Sequence, residues 1–228
     1  MQWWARPLLE DGQYWILYLF VMWVVVSICL HELAHGWAAL QQGDSTPRDL
    51  GHMTWNPLVH MGGFALLAFA IAGITWGSMP VNPNRFRWGR WGHVWVSAAG
   101  PLMNLALAVV LLTIGGVLCG RADVSPVDVL QGGDEKLLQV FIVGGTLNIA
   151  LFAFNLIPAP PLDGAAIVAN MSRTTHRLYY SEGMQRFGIL FLVVIFATGI
   201  GSKVILWAKV GGLLYCIAIA RMVTSGAA

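Results

Sequence analysis

Charge is scarce in this chain. Only 11% of its 228 residues are Asp, Glu, Lys or Arg, and the formal net charge is +2. With no run of five like charges, that composition excludes a nucleic-acid-binding protein and an ordinary soluble globule. Cysteine is sparse as well. Cys29, Cys119 and Cys216 lie apart in apolar segments and form no C-x-x-C pair, so they read as small hydrophobes within helices. Met1 to Gly12 lacks a basic opening and a small-residue cleavage site, so no removable signal peptide is expected and the first helix serves as its own insertion signal. Internal repeats, low-complexity tracts and a soluble domain are missing too. What remains is apolar, 57% hydrophobic residues with a mean hydropathy of +0.67. The fold class is therefore an all-α multi-pass membrane protein, one integral domain over residues 1–228.

Against that background, one polar cluster stands out. His31-Glu32-Leu33-Ala34-His35 sits inside the apolar run that begins at Val24. Each ionisable group buried at membrane depth costs about 2 to 3 kcal/mol or more unless it has a partner. On a helix, residues four apart lie on one face, so His31 and His35 can direct imidazole nitrogens at a single metal, and Glu32 beside them can reach a metal-bound water. A catalytic zinc usually takes three protein ligands and keeps a fourth position for water. Among the acidic residues outside the first helix, Asp163 is the candidate third ligand because it directly follows a membrane segment. Its bland alternative is the N-cap of the next helix.

In chain order, Tyr14 to Leu40 reads as the first span, with Trp15, Tyr18 and Trp23 as interfacial aromatics. His31 falls roughly 24 Å along it, inside an apolar layer about 30 Å thick but near its exit. Gln41 to Pro57 is a turn-rich loop with room for a short strand. Val59 to Gly77 is apolar but broken by glycines, and Ser78 to Pro83 cannot be regular helix. Arg85, Arg87 and Arg90, interleaved with Phe86, Trp88 and Trp91, form a basic aromatic collar at a membrane surface. His93 to Cys119 and Leu137 to Ile157 are further spans, and the prolines of Pro158 to Pro161 force an extended path up to Asp163. Phe187 to Ile200 and Val204 to Met222 complete the expected spans.

The ordered set His31-Glu32-Leu33-Ala34-His35, Asn56-Pro57-Leu58-Val59-His60, Pro80-Val81-Asn82-Pro83, Ala99-Gly100-Pro101 with Asn104, Asn155-Leu156-Ile157-Pro158 and Leu162-Asp163-Gly164 resembles the site-2 protease family of intramembrane zinc metallopeptidases. The likeness is to its short bacterial branch, without PDZ or CBS domains. It implies a catalytic core over residues 14–164 with accessory C-terminal helices over 187–222. It further implies one Zn2+ per chain held by His31, His35 and Asp163, with Glu32 as catalytic base. Asn104, Asn148 and Asn155 become candidates for holding substrate backbone or orienting ligands. His60 is a further substrate-binding candidate, although the acidic residue that the branch carries two positions on is missing here, which weakens a metal or gating role. The implied activity is intramembrane proteolysis of transmembrane proteins in a bacterial cell membrane. Two rivals are weighed. A zinc transporter or non-catalytic zinc scaffold would need no base at Glu32, and a membrane metallopeptidase for lipidated C-termini would carry a glutamate as its third ligand.

Metal geometry also constrains topology. Both ligand groups lie at the C-terminal ends of their helices, so the spans Tyr14 to Leu40 and Leu137 to Ile157 must run the same way, with an odd number of crossings between them. His93 to Cys119 supplies one. Residues 59–83 are therefore expected to be a re-entrant element, giving about five spans plus that element. Arg48, Arg85, Arg87, Arg90, Arg173, Arg177, Arg186 and Arg221 are then expected on one side, facing Arg6, Arg121, Lys136, Lys203 and at most one more, Lys209, on the other. By the positive-inside rule the first side is cytoplasmic, and the site opens towards it.

Overall fold

The computed structural model describes residues 5–131, 134–181, 183, 184, 190 and 198–226. These form a helical bundle in which α1 (Arg6–Glu10) leads into α2 (Tyr14–Gln41). A turn through α3 (Thr46–Asp49) then connects to α4 (Pro57–Ala72). Next come the long α5 (Arg90–Ala122), the short α6 (Pro126–Leu130) and α7 (Lys136–Asn155). After α7 stand α8 (Asp163–Met171), α9 (Arg173–Tyr179) and α10 (Ile200–Gly226). Among the described residues, four helices are long and apolar enough to cross a membrane, namely α2, α5, α7 and the Lys203–Gly226 part of α10. The protein is thus an all-α, multi-pass membrane protein. The expected span from Phe187 to Ile200 lies outside the described residues, apart from Leu190 and its last three positions. No strand occurs among the described residues, and the loop after α2 carries the short α3 in place of one.

Contacts along the helices fix their directions. The Trp23 indole N–H donates to the Val140 carbonyl (2.8 Å), and Ser27 Oγ accepts from Asn148 Nδ2 (2.9 Å), so α2 and α7 run parallel. Between them α5 runs the other way, since His35 meets Val96 while His31, a turn earlier, meets Asn104. The helix that carries His31 and His35 and the helix that leads to Asp163 thus share a direction. Residues between them leave and come back. Asn56 accepts from the Leu58 N–H and caps α4, whose backbone breaks at Gly62 (φ 68, ψ 164), and the helix stops at Gly73 in the left-handed region. From there the chain runs without helix to Asn82, and the Ser78 N–H donates to the His60 carbonyl (2.9 Å). The excursion returns to the place where it began.

Small residues bring α10 against α5. A Cβ on Gly116 would sit 2.8 Å from the Cys216 carbonyl oxygen, and one on Gly120 would sit 2.5 Å from that of Ala220. Close approach of this kind lets two apolar helices gain dispersion contacts where lipid offers no hydrophobic drive. Thr113 and Tyr215 share a hydrogen bond (2.8 Å), and the Thr224 hydroxyl donates to Gly120 O (3.4 Å), so α10 runs parallel to α5. This corrects the expected placement of two cations. Arg221 lies at the end of the bundle with Arg121, and Lys203 lies at the opposite end. The Gly116 contact meets backbone, which cannot swing aside. Gly116→Leu is expected to cost about 1 to 3 kcal/mol by overpacking, read as a lowered unfolding midpoint in detergent, with Gly116→Ala milder.

Candidate metal centre

The site forms where α2, α5 and the segment after α7 meet. His31 and His35 lie one turn apart on α2 and both are buried, with ring centroids 4.7 Å apart and edge-on. Beyond Asn155 the chain leaves the helix, passes through Pro158 to Pro161, and starts α8 at Asp163. Leu162, not Asp163, occupies the cap position, and the Asp163 carboxylate is directed at the histidines instead. Asp163 Oδ2 lies 3.0 Å from His31 Nε2, and Oδ1 lies 3.4 Å from His35 Nε2. One donor atom from each of the three lies within 4.8 Å of the others. The Asp163 carboxylate is largely buried against the two rings. It supplies a full negative charge where a cation belongs.

Hydrogen bonds on the far side of each ring decide which nitrogen faces the centre. Asn148 Nδ2 is 2.8 Å from the Gly144 carbonyl and 2.9 Å from Ser27 Oγ. A carbonyl only accepts, so Asn148 must present its NH2 there and its Oδ1 to the Asn104 amide (2.9 Å). That leaves Asn104 Oδ1 to accept from His31 Nδ1–H (2.6 Å). The Val96 carbonyl likewise accepts from His35 Nδ1–H (2.6 Å). In the neutral tautomer with Nδ1–H so engaged, both Nε2 atoms carry lone pairs, and they stand 3.0 Å apart beside a carboxylate. Two lone pairs at that distance repel unless a cation lies between them. The His2Asp donor set, its outer hydrogen bonds and its burial fit zinc. Gly100 of α5 completes the cradle, because a Cβ there would overlap the Nε2 atoms of both histidines.

A cavity of about 400 Å³ opens beside the three side chains, lined by Ser27, Glu32, Ser97, Phe154, Asn155 and the stretch Thr75 to Met79, among others. Glu32 is buried, and its carboxylate makes no hydrogen bond to protein among the described residues. A Cβ on Gly77 would overlap Glu32 Oε1, so the backbone after α4 lies directly over this carboxylate.

The sequence model of peptidase family M50 matches residues 19–136 and 124–199. The chain belongs to this family, the site-2 proteases. This M50 protein is 36% identical over 188 residues to the protein named "Putative zinc metalloprotease YwhC" in Bacillus subtilis, covering 82% of this chain and 83% of that one. Rip2 of Mycolicibacterium smegmatis, named in the same terms, is 30% identical over 200 residues, 85% of this chain and 71% of its own. Zinc metalloprotease MJ0392 of Methanocaldococcus jannaschii is 26% identical over 161 residues, 71% of this chain and 36% of its own. No solved structure matches the chain significantly. Membership makes this M50 protein a zinc metalloendopeptidase, which sets aside the transporter and scaffold readings.

The structure brings His31, Glu32, His35 and Asp163 of the M50 chain together and sorts the remaining candidates. Asn104 and Asn148, each fully buried, are occupied in the chain of amides behind His31. Asn155 lines the cavity with its amide bonded to Leu151 O (3.1 Å), leaving its side-chain oxygen available to a ligand. His60 stands apart from the donor cluster. It is buried, and its Nε2 bonds the Thr54 carbonyl (2.7 Å). Sequence reasoning missed the Val96 carbonyl and Ser27. A backbone acceptor carries no side-chain signal, and a lone serine in an apolar helix usually bonds its own helix. Gly100 did carry one, in Ala99-Gly100-Pro101. Asn104→Leu is expected to weaken zinc binding about 10- to 100-fold in chelator competition, as for other outer partners of metal-bound histidine. Asn148→Leu should weaken it less, and Asn155→Ala should leave zinc affinity unchanged.

Proposed function

We propose that this zinc metalloendopeptidase hydrolyses peptide bonds within or beside the membrane-spanning segments of protein substrates, with His31, His35 and Asp163 as zinc ligands and Glu32 as base. The observation that carries this reading is the position of the donor triad. It lies among apolar helices long enough to cross a membrane, next to a cavity walled on one side by non-helical backbone. When bound there, zinc would polarise a substrate carbonyl and lower the pKa of water to about 7.

The chain's own residues do the rest. Glu32 faces the cavity with no competing hydrogen bond, so a carboxylate oxygen can take a proton from the attacking water and return it to the leaving nitrogen. A helical substrate hides its peptide groups and must unwind at the cut. Among the described residues, the only backbone hydrogen bond made by an N–H from Ile74 to Val81 is that of Ser78 to His60. The free N–H and C=O groups of this stretch can pair with an unwound segment as an added strand. Asn155, which also lines the cavity, is available to hold a substrate backbone group.

Orientation follows from charge. Residues 59–83 act as the re-entrant element, shielded from lipid because they line the site. Arg48, Arg85, Arg87, Arg90, Arg173, Arg177 and Lys203 lie at the site end of the bundle, Arg6, Arg121, Lys136 and Arg221 lie at the other, and Arg186 is outside the described residues. The excess supports a cytoplasmic site end. Purified wild-type and Glu32→Gln proteins in detergent are expected to bind zinc alike. Only the wild type should cut members of a panel of tagged single-span membrane proteins, the variant being slower by about 100- to 10,000-fold. Chelation should stop the wild type and added zinc restore it. Cleavage by Glu32→Gln at the wild-type rate would sink the assignment of the base.

A further inference from the structure

Two of the most deeply buried polar side chains in the molecule, Gln42 and Asp44, take no part in the metal centre. They follow the last turn of α2, the helix that carries His31, Glu32 and His35. Here the chain turns at Gly43, whose φ of 91 suits glycine. The Asp44 carboxylate is fully enclosed, a costly state for a charge unless donors surround it. Its Oδ1 accepts from the Thr46 N–H (3.1 Å) and the Thr46 hydroxyl (2.5 Å), and Arg85 Nη1 is 3.9 Å away. Its Oδ2 accepts from a residue far along the chain, the Asn82 N–H, at 2.6 Å. Gln42 adds two bonds to the same strip. Its carbonyl accepts from the Arg87 N–H (3.0 Å), and its side-chain oxygen accepts from the Trp88 N–H (3.2 Å).

The local bonds to Thr46 are enough to shape the turn into α3. The bond to Asn82 does something else, because Asn82 ends the non-helical stretch that lies over Glu32. The backbone of that stretch is hydrogen-bonded at two points, Ser78 to the His60 carbonyl and Asn82 to Asp44, with Gly77 against Glu32 just before the first and Val81 packed on Ala38, Ala39 and Phe86. A strand held only by its partner's backbone can slip. The natural step is two residues, about 6.6 Å, because it keeps each side chain on its own face. Such a step would bring a different substrate bond to Glu32.

We propose that Asp44 is a positioning residue that fixes the register of the 74–81 stretch against Glu32, and with it the substrate bond that is cut. This rests on the reading that the stretch receives the substrate as an added strand. A carboxylate suits the task, since a charge-assisted hydrogen bond is about twice as strong as a neutral one. It also ties the substrate wall to the helix bearing the base.

The test uses the full chain as wild type, Asp44→Ala, Asp44→Asn and Glu32→Gln. It reads zinc content, amide hydrogen exchange, and the cleavage products of one single-span membrane protein that the wild type cuts. In Asp44→Ala, the two hydrogen-bonded amides of the stretch, Ser78 and Asn82, are expected to exchange about tenfold faster, the effect of losing one hydrogen bond of about 1.4 kcal/mol, while those around His31 do not change and zinc is retained. Cuts displaced by two residues should gain on the wild-type cut by about three- to tenfold, with Asp44→Asn in between because its amide oxygen still accepts. A merely structural role would lower the unfolding midpoint and the rate without moving the cut. Unchanged exchange at Ser78 and Asn82, or an unmoved cut, in Asp44→Ala overturns the proposal. Should Asp44→Ala fail to fold, the near-isosteric Asp44→Asn decides by the same two readouts. If Glu32→Gln cleaves like the wild type, or the wild type cuts nothing in the panel, the parent reading fails, and the exchange data alone decide whether Asp44 holds the stretch.

Discussion

A run of hydrogen bonds from the Gly144 carbonyl through Asn148 and Asn104 to His31 Nδ1 ties together three helices at one depth. Every member is buried, so a wrong orientation at any link would leave a donor facing a donor, a fault costing about 1 to 3 kcal/mol where water cannot repair it. The polarity originates in a backbone carbonyl, which has no alternative role. It then passes through two side-chain amides and ends as the tautomer of a histidine. The lone pair at His31 Nε2 is thereby set by the peptide backbone of another helix. His35 reaches the same state in one step through Val96 O.

That requirement shapes the packing around it. Asn104 can meet His31 only if α5 lies very close to α2, and Gly100, one turn before Asn104, permits it where any larger side chain would enter the space between the imidazoles. Asn148 can meet Asn104 and Ser27 together only if α7 fits against both helices. Gly144 provides for this, since a Cβ there would run into the Trp23 ring. These glycines each cost helix propensity of about 1 kcal/mol relative to alanine, a modest sum beside an unsatisfied buried amide. With α2 and α7 locked parallel, the chain between them has to make its excursion through α4 and return.

The sequence made some of this legible and hid the rest for identifiable reasons. His31 and His35 announce themselves because four-residue spacing is a geometric statement about a helix, and ionisable groups in an apolar run require an explanation. Asp163 was legible through its place after a proline-rich helix exit. The direction of α7, and the need for the chain to double back after α4, followed from the metal alone. By contrast, Asn104, Asn148 and Asn155 look alike in sequence. Only the structure shows that two are consumed by hydrogen bonds behind the ligand while the third faces the cavity, because the difference lies in what surrounds an amide. The direction of α10 was hidden too. Gly116 and Gly120 mark a close contact but do not say which way the partner helix runs, and so Arg221 and Lys203 were expected at the wrong ends. Asp44 looked like a residue of a polar turn, since its decisive partner is a backbone N–H 38 positions away.

The parts of the site also share one mechanical frame. A metal centre could be assembled on α2, α5 and α7 without any regard for where substrate lies. Here the helix that carries His31, Glu32 and His35 continues into Gln42 and Asp44, and those residues grip the backbone that borders the cavity. If α2 shifts along its axis, His31, His35, Glu32 and the backbone that borders the cavity shift with it, and their mutual distances are preserved. Attack needs reacting atoms held to within about 0.5 Å, which independent elements in a deformable bilayer would not maintain. The apparent excess of buried polar groups after α2 therefore has the same physical origin as the amide chain behind His31. In each case a buried hydrogen bond with no alternative partner converts the position of one helix into the position of a reacting group.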